Sequence, residues 1–485
     1  MSGACGANHK HCVSHVAVVG GGISGLAAAY RLRRLLGPSA SITVIEQSDR
    51  LGGKLRTASL AGVRYDVGAE AFLNRRPEAV ALINEVGLGD SLVHPSGLRS
   101  TVHAGGVTRP IPGRTVMGLP AGPDSVRSIL SDDGVRAVAD EPSRAPIRWD
   151  GADLGLGALL RDRLGGELVD RLIDPLLGGV YAGGVDGLGL RATLPAIATA
   201  LDGGAGSLTE AAAAALPSAE FVDAVPVFGT LRAGLGTLVD RLVQLSTVDI
   251  RLGVPVRALE RREHGWRLLL GAVPAAQAPA EPALEVDAVL LAVPAPAARR
   301  LLDKIVPSAS AAYARVEVAS MAVIGLALPP DSRLPDTSGV LIGAAERHAD
   351  GTPFAAKAFT FSARKWTHLS GGPVVIRGSV GRHGEAAALQ VDDDELIRLV
   401  RADLAELTGI TASPVDSVVM RWGGGLPQYG VGHLDLVDSI ERSVSDVPGL
   451  AITGAVLHGV GVPACIATAD RAAAKIVADL GVQVA

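Results

Sequence analysis

The sequence predicts a multi-lobed α/β protein, α+β in its outer parts, and three observations predict it. A short apolar strand opens onto a glycine-rich turn, a helix and a second strand; helical periodicity dominates a long middle stretch; strand-like segments return in the C-terminal half. At 485 residues the chain exceeds the size at which one hydrophobic core keeps growing, so two or three domains are expected.

Residues 1–13 are polar and read as a disordered extension. Cys5, His9, His11, Cys12 and His15 crowd there, but their spacing fits no standard zinc pattern, and a metal site is not expected. His15–Gly20, HVAVVG, reads as a strand, and the helix after it places Leu26, Tyr30, Leu32, Leu35 and Leu36 at helical spacing before Gly37 and Pro38 end it. Ser41–Glu46, SITVIE, is a second strand rich in β-branched residues, which completes a βαβ opening. After Gly89 the chain is rich in Gly and Pro through Pro123. Helical patterns then run from Val126 to about Ala215, with GALLRDRLGGELVDRLIDPLL the clearest amphipathic stretch. Strands are expected again at Val248–Leu252 and Val286–Val293, short strands over Val316–Val419, and a low-complexity hairpin loop at Pro274–Pro282.

Composition excludes several classes. Apolar residues make up 48%, charged residues 20%, and the net charge is −5, so neither a disordered chain nor a nucleic-acid binder is indicated. Three cysteines (Cys5, Cys12, Cys465) form no disulfide framework, which points to a reducing, cytoplasmic setting. The apolar run Val16–Ala29 contains four glycines and is no signal peptide, and no stretch approaches the roughly 18 uninterrupted apolar residues of a membrane span. Peripheral membrane contact stays open.

Gly20, Gly22 and Gly25 form GxGxxG between strand and helix, and Glu46 follows Gly25 by 21 residues at the end of the next strand. In a Rossmann-like unit the first glycine permits a tight turn, the second lets backbone approach a pyrophosphate, and the third allows close helix packing. The helix N-terminus stabilises the phosphate charge, and the acid accepts from ribose hydroxyls.

Beyond Glu46, RLGGK (Arg50–Lys54) and YDVG (Tyr65–Gly68) resemble the extended fingerprint of FAD flavoproteins of the amine-oxidase superfamily. Val254–Val256 lies where that superfamily contacts adenine through backbone. DAVLLAVP (Asp287–Pro294) resembles its returning strand, and GLAITGAVLHGVGVPACIATADRAAAKI its C-terminal loop and helix. The cofactor set implied by the resemblance is Gly20, Gly22, Ile23, Ser24, Gly25, Glu46, Gln47, Arg50, Gly52, Gly53, Lys54, Val256, Gly454, Val460 and Val462, around a non-covalently held FAD. A covalent link through Cys465 is not expected.

A narrower resemblance follows from IDPLLGGVYAG (Ile173–Gly183), RPIPGRTVMGLP (Arg109–Pro120), AGLGTLVDRL (Ala233–Leu242), FTFSARKW (Phe359–Trp366), RWGGGLPQYGVGH (Arg421–His433) and HGVGVPACI (His458–Ile466). These look like the protoporphyrinogen and coproporphyrinogen oxidases of heme synthesis and span nearly the whole chain. The implied division is an extension over 1–13, an FAD-binding domain over 14–90, 225–300 and 440–485, an inserted helical lobe over 91–224, and a mixed-sheet substrate domain over 301–439.

The resemblance also implies the chemistry. A meso carbon of the porphyrinogen gives hydride to flavin N5 with loss of ring N–H protons, three times over, and O2 reoxidises the flavin to yield peroxide. The cofactor does the redox work while the protein positions it. Coproporphyrinogen III is the favoured substrate, because the chain looks like the soluble bacterial branch; protoporphyrinogen IX is the alternative, and transient contact with a ferrochelatase-type partner is conceivable in such a pathway. Arg99 is the candidate for binding a substrate carboxylate, since a guanidinium fork matches a carboxylate bidentately. Glu70 stands where some relatives carry an amide. His433 and His458 read as proton acceptors or as loop-packing residues, neither having a visible orienting carboxylate, and Trp422, Pro427 and Tyr429 read as packing residues. A flavin amine oxidase is a more distant reading, opposed by the absence of lysine in Val316–Leu328 and by Leu457 in place of an aromatic residue. A non-catalytic FAD- or porphyrin-binding partner is another.

Overall fold

A computed structural model describes residues 14–217, 225–271 and 283–482. The N-terminal extension (1–13) and the whole of the expected loop at 274–282 lie outside the described residues.

Five parallel strands form the first sheet, in the order Asp249–Arg251, Ser41–Ile45, His15–Val19, Ala288–Leu291, Leu450–Ile452. Val16, Ala17 and Val18 are wholly buried, as a strand covered on both faces requires. One face is covered by the helix Ile23–Leu36 lying against the C-terminal helix Val462–Asp479, where Leu26, Leu32, Ile466 and Ala473 share a core. The other carries the antiparallel strands Val256–Arg261, Trp266–Leu270 and Leu284–Val286 together with three helices. Gly37 ends the first helix with φ +78°, and Arg33 wraps the exit by donating to Gly37 O and Ala40 O, both at 2.8 Å.

The second layer is a seven-stranded sheet ordered Asp416–Pro427, Val318–Leu328, Val374–Val380, Ala356–Thr360, Gly339–Ile342, Thr101–Ala104, Val107–Pro110. All its pairs are antiparallel except Gly339–Ile342 with Thr101–Ala104. The hairpin at 101–110 thus joins this sheet, whereas the sequence division had assigned it to the helical lobe. Its pairing partner lies more than 200 residues away, and local periodicity carries no trace of that.

Short helices build the remaining lobe around Leu156, Leu160, Leu172, Leu177 and Ile197. The stretch that reads as one amphipathic helix is interrupted. Gly165 breaks it with φ +86°, and Val169–Ile173 widens into a π-helical turn just before Pro175, whose ring lacks an N–H and crowds the preceding turn. At the lobe's centre Glu141, fully buried, accepts from Arg163 at 3.0 Å, Leu208 N at 2.8 Å and Thr209 Oγ1 at 2.7 Å.

Candidate active site

The GxGxxG turn is built by backbone contact. Gly20 has φ +106°, and a Cβ there would lie 2.4 Å from Ala292 O; a Cβ on Gly25 would lie 1.9 Å from Gly20 O. Gly22 differs, because its added Cβ would meet nothing nearer than Gly53 Cα at 3.9 Å. Leu26 N is the first amide to find a helical carbonyl, Gly22 O at 2.9 Å, so the amides of Ile23, Ser24 and Gly25 stand ahead of the intrahelical ladder. No side chain caps this terminus and no acid sits in its first turn. The site therefore offers donors and positive dipole to an anion.

Glu46 is held in place: Oε2 accepts from Gly21 N at 2.7 Å and Oε1 from Ser48 N and Oγ, each at 2.9 Å. Val254 N donates to Glu46 O at 3.1 Å, which brings the 254–256 segment beside the acid; Val256 itself opens the next strand, paired with Leu270. Gln47 is exposed. Arg50 braces its own loop, donating to Leu51 O at 3.0 Å and Gly53 O at 2.8 Å. Gly52 and Gly53 take φ +101° and +54°, and Gly52 N donates to Gly21 O at 2.8 Å, so the RLGGK loop lies across the glycine turn.

Lys54 is enclosed by protein yet keeps an exposed surface. A Cβ built on Gly425 would lie 3.5 Å from the Lys54 Cε, and the lysine charge senses the Cys465 thiol. Burial pushes its amine below the ordinary lysine range. The C-terminal helix points into the same region. Gly461 is its N-cap and Cys465 N the first amide to find a helical carbonyl, so Val462 and Ala464 present theirs outward. Val460 is half-buried before this turn, and Gly454, at φ +134°, has nothing within 4 Å of an added Cβ. Cys465 is buried and bonds Ser24, which pairs the two helix N-termini. Two uncapped helix ends, an open Gly22 and an enclosed amine fit a flavin dinucleotide: the first helix would take the diphosphate, the second the electron-rich end of the ring.

A family model described as flavin containing amine oxidoreductase matches residues 23–477. The chain belongs to that family. Within this flavin oxidoreductase family it is 42% identical to the coproporphyrinogen III oxidase of Mycobacterium leprae, over 96% of this chain and 98% of that one. A crystal structure from Exiguobacterium sp. 255-15, assigned to protoporphyrinogen oxidase, superposes with a TM-score of 0.83 at 31% identity, covering 97% and 99% of the two chains. Putrescine oxidase, at 20% identity and TM-score 0.68 over 96% and 99%, shares the fold.

As in any enzyme of this flavin family, distant segments have to meet at the site, and the structure supplies partners invisible in sequence. Glu70 accepts from Ser362 Oγ at 2.6 Å and Lys365 Nζ at 3.1 Å; burial would raise its carboxyl, but Lys365 and Arg377 outweigh that and hold it below the usual range. Asp66, by contrast, is pushed up to about 6 by burial, only partly offset by Thr57 and Leu235 N. Trp422 Nε1 donates to Val67 O at 3.0 Å, and Pro427 ends its strand opposite Val318. His433 and Tyr429 are buried, whereas His458 has a carboxylate partner that its sequence neighbours do not reveal: Glu441 Oε1 lies 2.9 Å from its Nε2. Arg99 is exposed at the head of the strand Thr101–Ala104, and its carbonyl accepts from Thr337 Oγ1 at 2.6 Å.

Proposed function

We propose that this enzyme oxidises coproporphyrinogen III to coproporphyrin III in porphyrin synthesis, with a non-covalently bound FAD and O2, removing six electrons and releasing H2O2. The observation that carries this reading is a pair of uncapped helix N-termini joined through Ser24 and Cys465, with Lys54 close by, in a chain related end to end to coproporphyrinogen III oxidases. When bound, the flavin supplies the two-electron acceptor. The protein's part is to hold both partners and to exclude water.

Most residues of the cofactor set then have a task. Ile23, Ser24 and Gly25 offer amides to the diphosphate while Gly22 leaves room for it, Glu46 accepts from the ribose, and Val256 meets the adenine. Gly52, Gly53, Arg50 and Lys54 close over the phosphates and ring; Gly454, Val460 and Val462 meet the isoalloxazine. Cys465 packs against Ser24, which supports a structural thiol over a covalent link. An amine oxidase is disfavoured locally, since Val318–Leu328 has no lysine and Leu457 is a buried aliphatic residue. No helix among the described residues is long and apolar enough to cross a membrane, which is compatible with a cytoplasmic enzyme and with transient contact to a pathway partner.

The test is anaerobic mixing of the yellow protein with coproporphyrinogen III and, separately, protoporphyrinogen IX, followed by admission of air. Faster bleaching and porphyrin fluorescence with the four-propionate substrate is expected. Preference for protoporphyrinogen IX would move the enzyme to that oxidation, and bleaching with neither would overturn the reading.

A further inference from the structure

Three buried side-chain polar atoms without a hydrogen-bond partner, Thr230 Oγ1, Trp366 Nε1 and His368 Nδ1, belong to residues that line one small cavity. Buried polar groups in a folded protein are paired as a rule, so three orphans around one space call for an occupant. Thr230, on the strand Phe228–Leu231, is 3% exposed, and Trp366, which follows the helical turn Ser362–Lys365, is 1% exposed. His368 stands in the next turn, Thr367–Leu369, with its ring centroid 6.1 Å from that of Trp366.

The cavity measures about 20 Å³ and is also lined by Asp66 and Glu70. A space this small keeps all its lining residues close to one centre. Both carboxylates are already engaged by the surrounding fold. Asp66 Oδ1 accepts from Thr57 Oγ1 at 2.5 Å and its Oδ2 from Leu235 N at 3.0 Å, while Glu70 accepts from Ser362 and Lys365. None of these bonds involves Thr230, Trp366 or His368.

The three orphans restrict what fits. The indole N–H only donates, whereas a hydroxyl and a neutral imidazole each offer a donor and an acceptor. Burial, and after it Arg232, hold the His368 imidazole below its ordinary range, so the ring is neutral near pH 7. A metal ion would find no lone pair on the indole N–H, and no group of three His, Cys, Asp or Glu among the described residues is placed to hold one. An anion would meet the Glu70 carboxylate. A neutral molecule that both accepts and donates satisfies all three groups. One water needs about 10–15 Å³ and two to four polar partners, and this cavity supplies both.

We propose that an ordered water occupies this cavity, held by Thr230 Oγ1, Trp366 Nε1 and His368 Nδ1. It ties the strand at 228–231 to the turns at 362–369, far along the chain, and completes the polar layer begun by Ser362, Glu70 and Lys365. The inference needs no assumption about cofactor or substrate.

Thr230→Val in the purified full chain tests it, because the substitution removes the hydroxyl at nearly constant shape. A hydroxyl left unpaired in a dry cavity destabilises the fold, and deleting it would raise stability or leave it unchanged; a hydroxyl bonded to water contributes, and deleting it lowers stability. The unfolding equilibrium constant is expected to rise about fivefold, read from denaturant midpoints at constant m. Trp366→Phe keeps an aromatic ring without the N–H. Since both residues act through one water, the double variant should lose clearly less than the two single losses together. Unchanged or higher stability of Thr230→Val, or strictly additive losses, would overturn the proposal. A crystal structure of the wild-type protein, at a resolution that shows ordered water, gives the second readout and decides alone should Thr230→Val not fold. A water peak within hydrogen-bond distance of all three atoms is expected. An empty cavity, or an occupant with the anomalous signal of chloride, would overturn it.

Discussion

The imidazole of His433 lies flat on the ring of Tyr429, centroids 3.9 Å apart and planes at 17°, and both donate to one loop: Tyr429 OH to Ala455 O at 2.5 Å, His433 Nε2 to Val456 O at 2.8 Å. Burial lowers the imidazole's proton affinity, so it stays neutral and keeps one N–H for that carbonyl. The loop runs into the N-terminus of the last helix, where the ring of the cofactor is proposed to sit. Tyr429→Phe removes one anchor and leaves a carbonyl short of its donor, a cost of about 1–3 kcal/mol. Flavin retention should weaken about tenfold, read as flavin fluorescence released on dilution, with the protein still folded.

The glycine turn separates a cofactor effect from a folding effect. Gly22→Ala places its methyl where the protein has space, so the chain should fold and emerge colourless. Gly25→Ala drives a methyl into Gly20 O and should lower the unfolding midpoint as well. Absorbance near the flavin bands and thermal melts of the two purified variants distinguish the cases; a yellow Gly22→Ala would remove that glycine from the diphosphate site.

In the helical lobe, Arg163→Met leaves Glu141 fully buried with neutral donors alone. Breaking one side of such a pair costs about 3–5 kcal/mol. Denaturant midpoints should show that loss, and the double variant Arg163→Met with Glu141→Leu should recover part of it. Burial would raise the Glu141 carboxyl, but its hydrogen bonds to Thr209, Leu208 N and Arg163 hold it below the ordinary range, so its contribution is present at neutral pH and fades on acidification.

Asp66 behaves in the opposite sense. Its folded carboxyl titrates at about 6, above its unfolded value of 3.8, so the folded state holds the proton more tightly. That contribution is complete below about pH 4 and lost as pH rises through about 6, a swing of roughly 3 kcal/mol. Asp66→Asn cannot ionise. Urea midpoints of wild type relative to this variant should therefore decline across that window, and a constant difference would contradict the assignment.

Much of the nucleotide-binding domain was legible because its signals are local: β-branched strands, a glycine turn whose backbone contacts leave no room for side chains, and an acid at a fixed distance along the chain. Even there, sequence recorded the residue types at Arg50 and Lys54 without distinguishing a side chain folded back on its own loop from one lying beside Gly425, far along the chain. Three-dimensional packing alone decided the rest. It joined the hairpin at 101–110 to a strand more than 200 residues away, broke the apparent long helix at Gly165 and before Pro175, and paired Glu70 with Lys365 and His458 with Glu441. It also left the Lys357 amine buried without a hydrogen-bond partner. Pairing between distant strands and the charge balance of a buried site are properties of neighbours in space, whereas periodicity and turn chemistry report only neighbours along the chain.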